Sequence, residues 1–449
     1  MVFKNDKGEK TTREERAEVA SSENVEPNVK PVGKGNAKET AAAALGKICE
    51  LWKKYELAVF AVILLVFAML ARGSYFDFKS GDYNSFLVKW FDEIKALGGF
   101  KGFASTIGDY TPMYKYIITI LTYIPADSLY LYKAVSCIFD AVLAFYVGLI
   151  VRHFTKNDVT ALIGYGVTLF LPNVFLNSGV WAQCDSIFTC FTIMSFYYML
   201  RGNDITSMVM YGISISFKIQ AIFYAPVIVI AVLRGKIKLT AFPFIFVSYI
   251  LCAVPAVIAG MNPIDALIGA YLKQVGEYSR LTLNAPNLYQ FLSDAYMTNE
   301  NISQMMVFAS LGIAAIIAIG FYKYKGETDD KKWLLTAYVF AVTIPYILPH
   351  MHERYYYLAD IFAMIFACVY AKKAYVAVLT IYPSMRVVMR YLFDLKNTKT
   401  DFKALAIIML IGIVALFQIV YSEFSADKTD KKGLQNKKTP KEEERSATD

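Results

Sequence analysis

Long apolar runs separated by short polar segments fill the chain between about residue 56 and residue 422. A membrane-spanning helix needs roughly 17–25 predominantly apolar residues, so the pattern predicts about twelve such helices. Two short runs, 205–217 and 218–233, are also compatible with one broken unit. The twelve runs lie at 56–72, 131–151, 159–176, 185–200, 205–217, 218–233, 240–259, 303–323, 333–349, 355–371, 374–391 and 403–422.

Two polar tails flank this predicted transmembrane domain of residues 53–424. Residues 1–52 are rich in Lys, Glu, Ala and Asn and contain no apolar run, and residues 425–449 are similarly charged. Such compositions bury too little apolar surface to offset the entropy of ordering. We therefore expect both tails to be disordered.

Composition supports the same class of protein. Hydrophobic residues make up 56% of the 449 residues and aromatic residues 15%, whereas charged residues make up 19%. A water-soluble protein of this length carries more charge and fewer aromatic residues. The net charge of +8 comes largely from Lys and Arg in loops and tails, so it reports membrane topology and not nucleic-acid binding. The six cysteines show no metal-ligand spacing and no disulfide framework.

Lys and Arg assign the two sides of the membrane. Their clusters at 152–156, 201, 234–238, 323–332 and 372–373 fall in alternate loops, on the side of the Lys-rich tails, as the positive-inside rule requires. One loop, which carries Lys396, Lys399 and Lys403, disagrees. We expect an integral plasma-membrane protein with both termini in the cytoplasm. Its outer segments would be 73–130, 177–184, 260–302, 349–354 and 392–402.

The first outer segment, 73–130, is predicted to be structured. Its stretch from Tyr83 to Leu97 has apolar residues at helical spacing, typical of an amphipathic helix in the membrane interface. The stretch from Tyr110 to Tyr123 is apolar but too short to cross a bilayer, which favours a second interfacial or re-entrant helix. The segment also carries Asp77, Asp82 and Asp109.

The segment from Pro349 to Tyr355 has the highest density of functional groups in the chain. It places His350, His352, Glu353 and Arg354 between two apolar runs. Hydrocarbon penalises each of these groups, so they either line a polar cavity or face water. A site is the stronger interpretation, and a solvated interfacial loop without chemistry is the alternative.

Polar groups also mark three other outer positions. Asp185, beside Trp181 and Gln183, begins an apolar helix, where it either caps the helix or faces a sugar or phosphate. Lys218 lies between two short apolar halves and either snorkels to the interface or needs an anion. The third outer segment adds Arg280 and several asparagines. Cations and amides of this kind suit a phosphate-linked, sugar-bearing lipid.

Six segments carry a resemblance through their order along the chain and their shared outer side. They resemble the bacterial membrane glycosyltransferases of the GT-C superfamily. They are similar to the mannosyltransferases of GPI-anchor assembly and, more distantly, to dolichyl-phosphate-glucose glucosyltransferases. The resemblance covers most of the chain from about residue 56 to residue 371. The segments are Ser80-Gly81-Asp82, Tyr110-Thr111-Pro112-Met113-Tyr114, Trp181-Ala182-Gln183-Cys184-Asp185, Phe217-Lys218-Ile219-Gln220-Ala221, Asn284-Ala285-Pro286-Asn287 and His350-Met351-His352-Glu353-Arg354-Tyr355.

The resemblance implies a GT-C-like fold and a hexosyltransferase that works on the outer face. The sugar donor would be linked to polyprenyl phosphate, and the acceptor would be a glycan or glycolipid. Membrane lipids would be the other partners of the protein. Transfer would invert the anomeric configuration in one displacement, with an acidic residue of the first outer segment as base. Carried over, that residue is Asp82, with Asp77 and Asp109 as weaker candidates.

Further roles follow from the same resemblance. Residues implied at the donor phosphate or sugar are Lys218, Gln220, Arg280, His350, His352, Glu353, Arg354 and Tyr355. Residues implied in the sugar pocket are Tyr110, Pro112, Tyr114, Trp181, Gln183, Asp185, Asn284 and Asn287. The acidic metal site and large C-terminal soluble domain of the oligosaccharyltransferase branch have no counterpart here, so transfer without a metal or other cofactor is expected.

The chain departs from the family pattern at two positions, and other functions stay open. Relatives often have Gly where Ala182 stands and Pro where Ile219 stands, and losing that proline removes a helix kink next to Lys218. A lipid-linked-sugar flippase or transporter would also fit about twelve spans with a broken helix. A polysaccharide polymerase or ligase is a third reading. The sequence does not distinguish mannose from glucose, nor a lipid-linked glycan from a wall polymer or protein as acceptor.

Overall fold

A computed structural model of the protein describes residues 37–274, 277–393 and 401–436. The first half of its helices are α1 (Ala37–Gly73), α2 (Val88–Leu97), α3 (Pro112–Leu121), α4 (Ser128–Thr155), α5 (Asp158–Phe170), α6 (Pro172–Phe175), α7 (Asp185–Leu200) and α8 (Asp204–Phe217). The second half are α9 (Ala225–Leu233), α10 (Phe244–Ile258), α11 (Ala270–Gln274), α12 (Glu300–Tyr322), α13 (Asp330–Ile347), α14 (Tyr357–Val369), α15 (Tyr375–Leu392) and α16 (Phe402–Asn436). Two short strands, β1 (Thr282–Leu283) and β2 (Met351–His352), pair in parallel.

The prediction of an all-α membrane protein is confirmed, but the count of twelve spans is not. Within the described residues, five helices are long and apolar enough to cross a membrane, or six if one pair bent by 48° forms a single span. Helices also lie at the other predicted runs, but α7, α8 and α14 have only 16, 14 and 13 residues. The five qualifying helices are Leu45–Gly73, Ser128–Thr155, Leu239–Ile258, Glu300–Tyr322 and Phe402–Ser425, and the bent pair is Asp158–Phe170 with Pro172–Val180.

Length and burial separate two kinds of helix. In α1 and α12 only 11% of the most apolar window is buried inside the protein, which leaves these helices to face lipid. By contrast, Tyr357–Phe366 of α14 is buried throughout, and α7 and α13 are buried along most of their length. A helix that is apolar all round and enclosed by protein is a core element. The short helices therefore form the centre that supports the site.

A described helix extends into each predicted tail. Helix α1 begins at Ala37, inside the predicted disordered tail of 1–52, because the run Ala41–Leu45 consists of strong helix formers. Helix α16 likewise continues to Asn436, inside the predicted tail of 425–449. Residues 1–36 and 437–449 lie outside the described residues. A boundary between two units of the chain falls after Glu56, and the site described below belongs to the second unit.

Buried charges hold the start of the first outer segment. Arg72, at the end of α1, forms an ion pair with Asp140 of α4 at 3.0 Å, and both side chains are fully buried. Two turns earlier in α4, Lys133 donates to the carbonyl oxygens of Tyr75, Phe76 and Phe78 at 2.7, 3.0 and 2.8 Å. These contacts fix the backbone just before Asp82.

Both helices predicted in the first outer segment are present. A π-helical turn at Tyr83–Leu87 leads into α2, which buries Phe91 and Ile94, and α3 covers most of the second predicted stretch. Ser80 anchors the entry to the first of them, because its hydroxyl donates to the Trp181 carbonyl at 3.0 Å and accepts from the Tyr83 amide at 3.1 Å. The first two outer segments are thereby joined beside Asp82.

Candidate active site

The Asp82 carboxylate accepts four hydrogen bonds from three distant parts of the chain. Its Oδ2 accepts from Trp181 Nε1 at 3.0 Å, Gln183 Nε2 at 2.7 Å and an Arg354 guanidinium N–H at 3.0 Å. Its Oδ1 accepts from the Tyr391 hydroxyl at 2.6 Å. The Asp82 side chain remains 16% exposed. A carboxylate held in one orientation therefore borders open space.

A second carboxylate, Asp185, lies behind this contact. Its Oδ1 is 2.5 Å from Lys218 Nζ, and its Oδ2 accepts from the Asn177 amide at 2.8 Å. Arg354 Nε is 3.8 Å from the same Oδ2, so the guanidinium lies between Asp185 and Asp82. The charges alternate in sign from Asp82 to Lys218. This pairing offsets the cost of burying Asp185 and Lys218, whose side chains are only 2% and 7% exposed.

Asp185 and Lys218 each had a purely structural alternative, a helix cap for Asp185 and a side chain reaching to the membrane interface for Lys218. Asp185 is the first residue of α7, but no side chain caps that helix and the N-cap position belongs to Cys184. Lys218 is buried and paired, and so does not snorkel. Its extended backbone (φ −156°, ψ 137°) ends α8, and a 3-10 turn follows from Ile219. The helix break at Lys218 therefore persists without a proline at position 219.

The β1–β2 pairing joins the third outer segment to the histidine-rich segment. Leu283 lies opposite His352, and Asn284 forms a further bridge to the same residue. Asn284 and His350 have φ values of 62° and 63°, and Ala182 has a φ of 65°. Left-handed conformations cost free energy in residues other than glycine and concentrate at functional sites. The value at Ala182 also explains why a glycine would suit that position.

These segments enclose an open cavity of about 360 Å³. The cavity draws its wall from all three of the first outer segments, the break after α8, and the histidine-rich segment. Eleven of the residues singled out from the sequence line it: Asp82, Asp109, Tyr110, Gln183, Lys218, Gln220, Asn284, His352, Glu353, Arg354 and Tyr355.

Aromatic rings cover the cations of the cavity. Lys218 Nζ lies 5.4 Å from the ring centre of Tyr110, and the Arg354 guanidinium lies 5.4 Å from that of Trp181. The Tyr110 hydroxyl donates to Gln183 Oε1 at 3.1 Å, while the other end of the same amide holds Asp82. Gln183 therefore couples the aromatic wall to the carboxylate and fixes its own amide orientation.

Burial gives two neighbouring groups unusual protonation states. Burial lowers the pKa of His352 to about 3, helped by the nearby positive charges of Arg354 and Lys218, so the imidazole is neutral at pH 7. Its buried Nε2 has no hydrogen-bond partner in the part of the chain that the structure describes. Burial also raises the pKa of Glu353 to about 7, although Arg354 opposes the shift. Glu353 therefore titrates near physiological pH.

Two residues implied at the donor, His350 and Arg280, do not line this polar cavity, although His350 lines the apolar cavity described below. His350 Nδ1 donates to the Arg280 carbonyl at 2.8 Å, and its Nε2 accepts from the Ser303 hydroxyl at 2.6 Å, so the ring clamps a loop to α12. The Arg280 guanidinium forms an exposed ion pair with Asp294 at 3.3 Å. The resemblance implied both residues at the donor, but a family pattern does not reveal which way a loop turns in this chain.

Other predicted pocket residues support the wall from behind. Tyr114 is buried, with its ring centre 4.9 Å from that of Tyr110. Trp181 and Asn287 are fully buried, and Pro112 begins α3 and lines an adjoining cavity. Of the weaker candidate bases, Asp109 lines the main cavity, whereas Asp77 accepts a hydrogen bond from Tyr130 at an exposed position.

An apolar cavity of about 190 Å³ adjoins the polar one. Gln220, Gln274, Tyr278 and Tyr355 line both. The remaining wall of the apolar cavity is mostly hydrocarbon and aromatic, from Ile219, Ile222, Phe223, Tyr271, Leu348, His350 and Met351. A ligand with a polar head and an apolar chain would match this sequence of surfaces.

Sequence reasoning missed three polar residues of the wall, Tyr391, Gln274 and Glu277. Tyr391 lies at the end of an apolar run, where an aromatic residue is ordinary. The available signal was its position beside a predicted outer loop, and many aromatic residues share that position. Only the packing of α15 beside Trp181, with ring centres 4.9 Å apart, brings its hydroxyl to Asp82.

Among the described residues, no three His, Cys, Asp or Glu side chains are grouped in a way that would hold a metal ion. No protein-family model matches the sequence, and no curated protein matches it significantly. The residues of the cavity and their geometry are therefore the basis for assigning a function.

Proposed function

We propose that the protein is an inverting glycosyltransferase of GT-C-like fold, with about twelve spans as the apolar runs of the sequence predict. It would move a hexose from a polyprenyl-phosphate-linked donor to an acceptor hydroxyl on the outer face of the plasma membrane. One observation carries the proposal. A carboxylate, Asp82, shares a polar cavity with Arg354 and Lys218, and an apolar cavity opens beside it.

Asp82 is the proposed general base. The acceptor hydroxyl gives its proton to Asp82 while its oxygen bonds to the anomeric carbon of the sugar. The bond from that carbon to the donor phosphate oxygen breaks, and its electron pair leaves with the lipid phosphate. Attack opposite the leaving group inverts the configuration. The acceptor hydroxyl would take the place that the Tyr391 hydroxyl now occupies on Oδ1.

Arg354 and Lys218 are the proposed stabilisers of the leaving phosphate. Negative charge grows on that phosphate in the transition state, and fixed cations in a water-poor site stabilise it strongly. Arg354 and Lys218 both line the polar cavity, so their cationic groups can approach a phosphate bound there. The carboxylates of Asp82 and Asp185 hold the guanidinium in place before the donor arrives.

Aromatic and amide groups are suited to the sugar ring. Trp90 and Tyr110 pack edge to face with ring centres 5.2 Å apart, and both line the cavity with Tyr278. Gln220 Oε1 is buried without a hydrogen-bond partner in the described part of the chain, so it can accept from a sugar hydroxyl. Neither feature separates mannose from glucose, so donors carrying each of these sugars are to be tested.

The apolar cavity supports a lipid-linked donor over a nucleotide sugar. Its hydrocarbon wall meets the polar cavity at Tyr355 and Tyr278, close to the proposed phosphate position. Burial of apolar chain there would add about 25 cal/mol for each Å² removed from water. A sugar nucleotide has no long hydrocarbon chain to fill this cavity.

The test uses purified full-length protein in liposomes with polyprenyl-phosphate mannose or glucose and a membrane-glycan extract. Sugar transfer and release of polyprenyl phosphate are measured for wild type, Asp82→Asn and the matched control Asp92→Asn, an exposed carboxylate of α2. We expect Asp82→Asn to lose transfer by about 100-fold or more, as for removal of a general base, and Asp92→Asn to retain it.

Thermal unfolding confirms that each variant is folded before its activity is compared. Equal transfer by folded Asp82→Asn would remove this residue from the mechanism and direct attention to Asp109. Absence of transfer from every donor, together with movement of the lipid between leaflets, would reject the enzyme in favour of a flippase.

A further inference from the structure

A second polar cavity, of about 110 Å³, lies beside the candidate active site. Tyr110 lines both cavities, so its ring forms part of the partition. Next to it, the Gln274 amide donates to the Asp109 carbonyl at 2.7 Å and closes the same partition. The second cavity contains two lysines, Lys115 of α3 and Lys273 of α11, that the active-site proposal does not use.

Lys115 is a buried ammonium group with unused donors. Its side chain is only 5% exposed, and its Nζ donates to the Ser105 carbonyl at 2.8 Å. It forms no ion pair with any residue that the structure describes. An ammonium group has three N–H donors, so two of them remain for the cavity.

Other buried lysines of the chain are satisfied in ways that Lys115 is not. Lys133 uses all three donors on backbone carbonyls, at 2.7, 3.0 and 2.8 Å. Lys218 is paired with the Asp185 carboxylate. Burying an ammonium group without such compensation is costly. Lys115 therefore has the environment of a cation whose counter-ion comes from outside the chain.

A second cation reinforces this charge. Lys273 Nζ donates to the Thr106 carbonyl at 3.0 Å, the next carbonyl along the chain from the one that holds Lys115. Burial lowers the pKa of Lys115 to about 8, and the positive charge of Lys273 adds to the shift, while Asp109 opposes it. Asp265 lines the same cavity but is exposed, and it pairs with neither lysine among the described contacts.

We propose that this cavity binds a phosphate group, as an anion site separate from Arg354 and Lys218. The two free N–H donors of Lys115 and the ammonium of Lys273 approach from adjacent carbonyls, so they can share the oxygens of one tetrahedral anion. A phosphate monoester brings close to two negative charges, and the two lysines of this cavity outnumber its one carboxylate, Asp265. The site stands on its own geometry and does not require that the protein transfer sugars.

The phosphate can belong to free inorganic phosphate or to a lipid headgroup, and the experiment separates the two. Purified full-length protein in a neutral maltoside detergent is titrated with inorganic phosphate and with dioctanoyl phosphatidic acid, with dioctanoylglycerol as the uncharged control. Calorimetry and the thermal unfolding midpoint report binding. Tighter binding of phosphatidic acid than of phosphate assigns a lipid headgroup, and equal or weaker binding assigns the free anion.

Variants test whether Lys115 holds the anion. We expect Lys115→Met to weaken phosphate binding at least tenfold, Lys115→Arg to retain most of it, and Lys273→Gln to weaken it less. Lys101→Gln, an exposed lysine of the same outer segment, should bind as wild type does. Without phosphate, Lys115→Met should unfold at the same temperature as wild type or higher, because it removes an uncompensated buried charge.

Three outcomes would overturn the proposal. They are the absence of phosphate and phosphatidic acid binding to wild type, unchanged binding by folded Lys115→Met, and equal binding of dioctanoylglycerol. If Lys115→Met does not fold, the other two lysine variants decide. Weaker phosphate binding by Lys273→Gln together with retained binding by Lys115→Arg would support the site. Unchanged phosphate binding by Lys273→Gln would reject it. Loss of sugar transfer is not a readout here, so failure of the anion site and failure of the enzyme proposal are distinguishable.

Discussion

The ion pair between Asp185 and Lys218 allows a quantitative test of the charged wall. Removing one partner of a buried pair leaves the other charge uncompensated and costs about 3–5 kcal/mol. The two partners are not equivalent here. Asp185 keeps a second cation, because Arg354 Nε is 3.8 Å from its Oδ2, whereas Lys218 has Asp185 alone within ion-pair distance among the described residues.

The asymmetry sets an order of stabilities. At an effective dielectric constant of about 20, a cation at this separation contributes a gross attraction of about 4 kcal/mol to the remaining carboxylate. Lys218→Met should therefore cost about 2 kcal/mol and Asp185→Asn about 3–5 kcal/mol. The double variant should cost less than the sum of the single variants by about 2 kcal/mol, since it leaves neither charge unpaired.

Denaturant unfolding of the purified protein in mixed micelles measures the four free energies of this cycle. The exposed pair of Arg152 and Asp158, with side chains 61% and 52% exposed, is the matched control. Asp158→Asn should change stability by at most about 1 kcal/mol. Additive single-variant costs, or a larger cost for Lys218→Met than for Asp185→Asn, would refute the reasoning.

Three further predictions concern the cavity and the helix packing. Tyr391→Phe frees Asp82 Oδ1, so the acceptor KM should fall up to about tenfold with kcat maintained, and steady-state kinetics that show a rise in KM would contradict this. Burial raises the pKa of Glu353 from 4.5 to about 7, so the folded state binds more protons between these values and stability should fall as pH rises through this window. The total loss should be about 3 kcal/mol, and Glu353→Gln should lack it in pH-dependent unfolding. An added Cβ in Gly212→Ala would overlap Ser248 and the Ile245 carbonyl of α10, so stability should fall by about 1–3 kcal/mol in thermal or denaturant unfolding. Gly312→Ala has open space and should be neutral or stabilising, and equal effects of the two glycine variants would argue against close packing of α8 on α10.

The amino-acid sequence by itself determined the class of protein and the main helices. Apolar runs long enough to cross a bilayer can only be satisfied as helices in lipid, because every backbone donor and acceptor must pair internally. The same local logic predicted the two helices of the first outer segment, confirmed as the turn from Tyr83 with α2, and as α3. The apolar pattern could not show which helices face lipid. Helices α12 and α14 are both apolar, but only α14 is enclosed by protein.

For the candidate site as well, the sequence predicted part of the result and the tertiary structure determined the rest. Burying a charged group among apolar residues costs free energy wherever the group lies. The sequence could therefore single out Asp82, Lys218 and Arg354 without showing their partners. Their pairing joins residues as far as 272 positions apart, and only the tertiary structure decided it. The tertiary structure also directs His350 to a hydrogen bond with Ser303 of α12, and it places the Tyr391 hydroxyl within hydrogen-bonding distance of Asp82. The local sequence pattern indicates that burying a polar group would cost free energy. The direction in which its side chain points depends on how helices that are distant in sequence pack together.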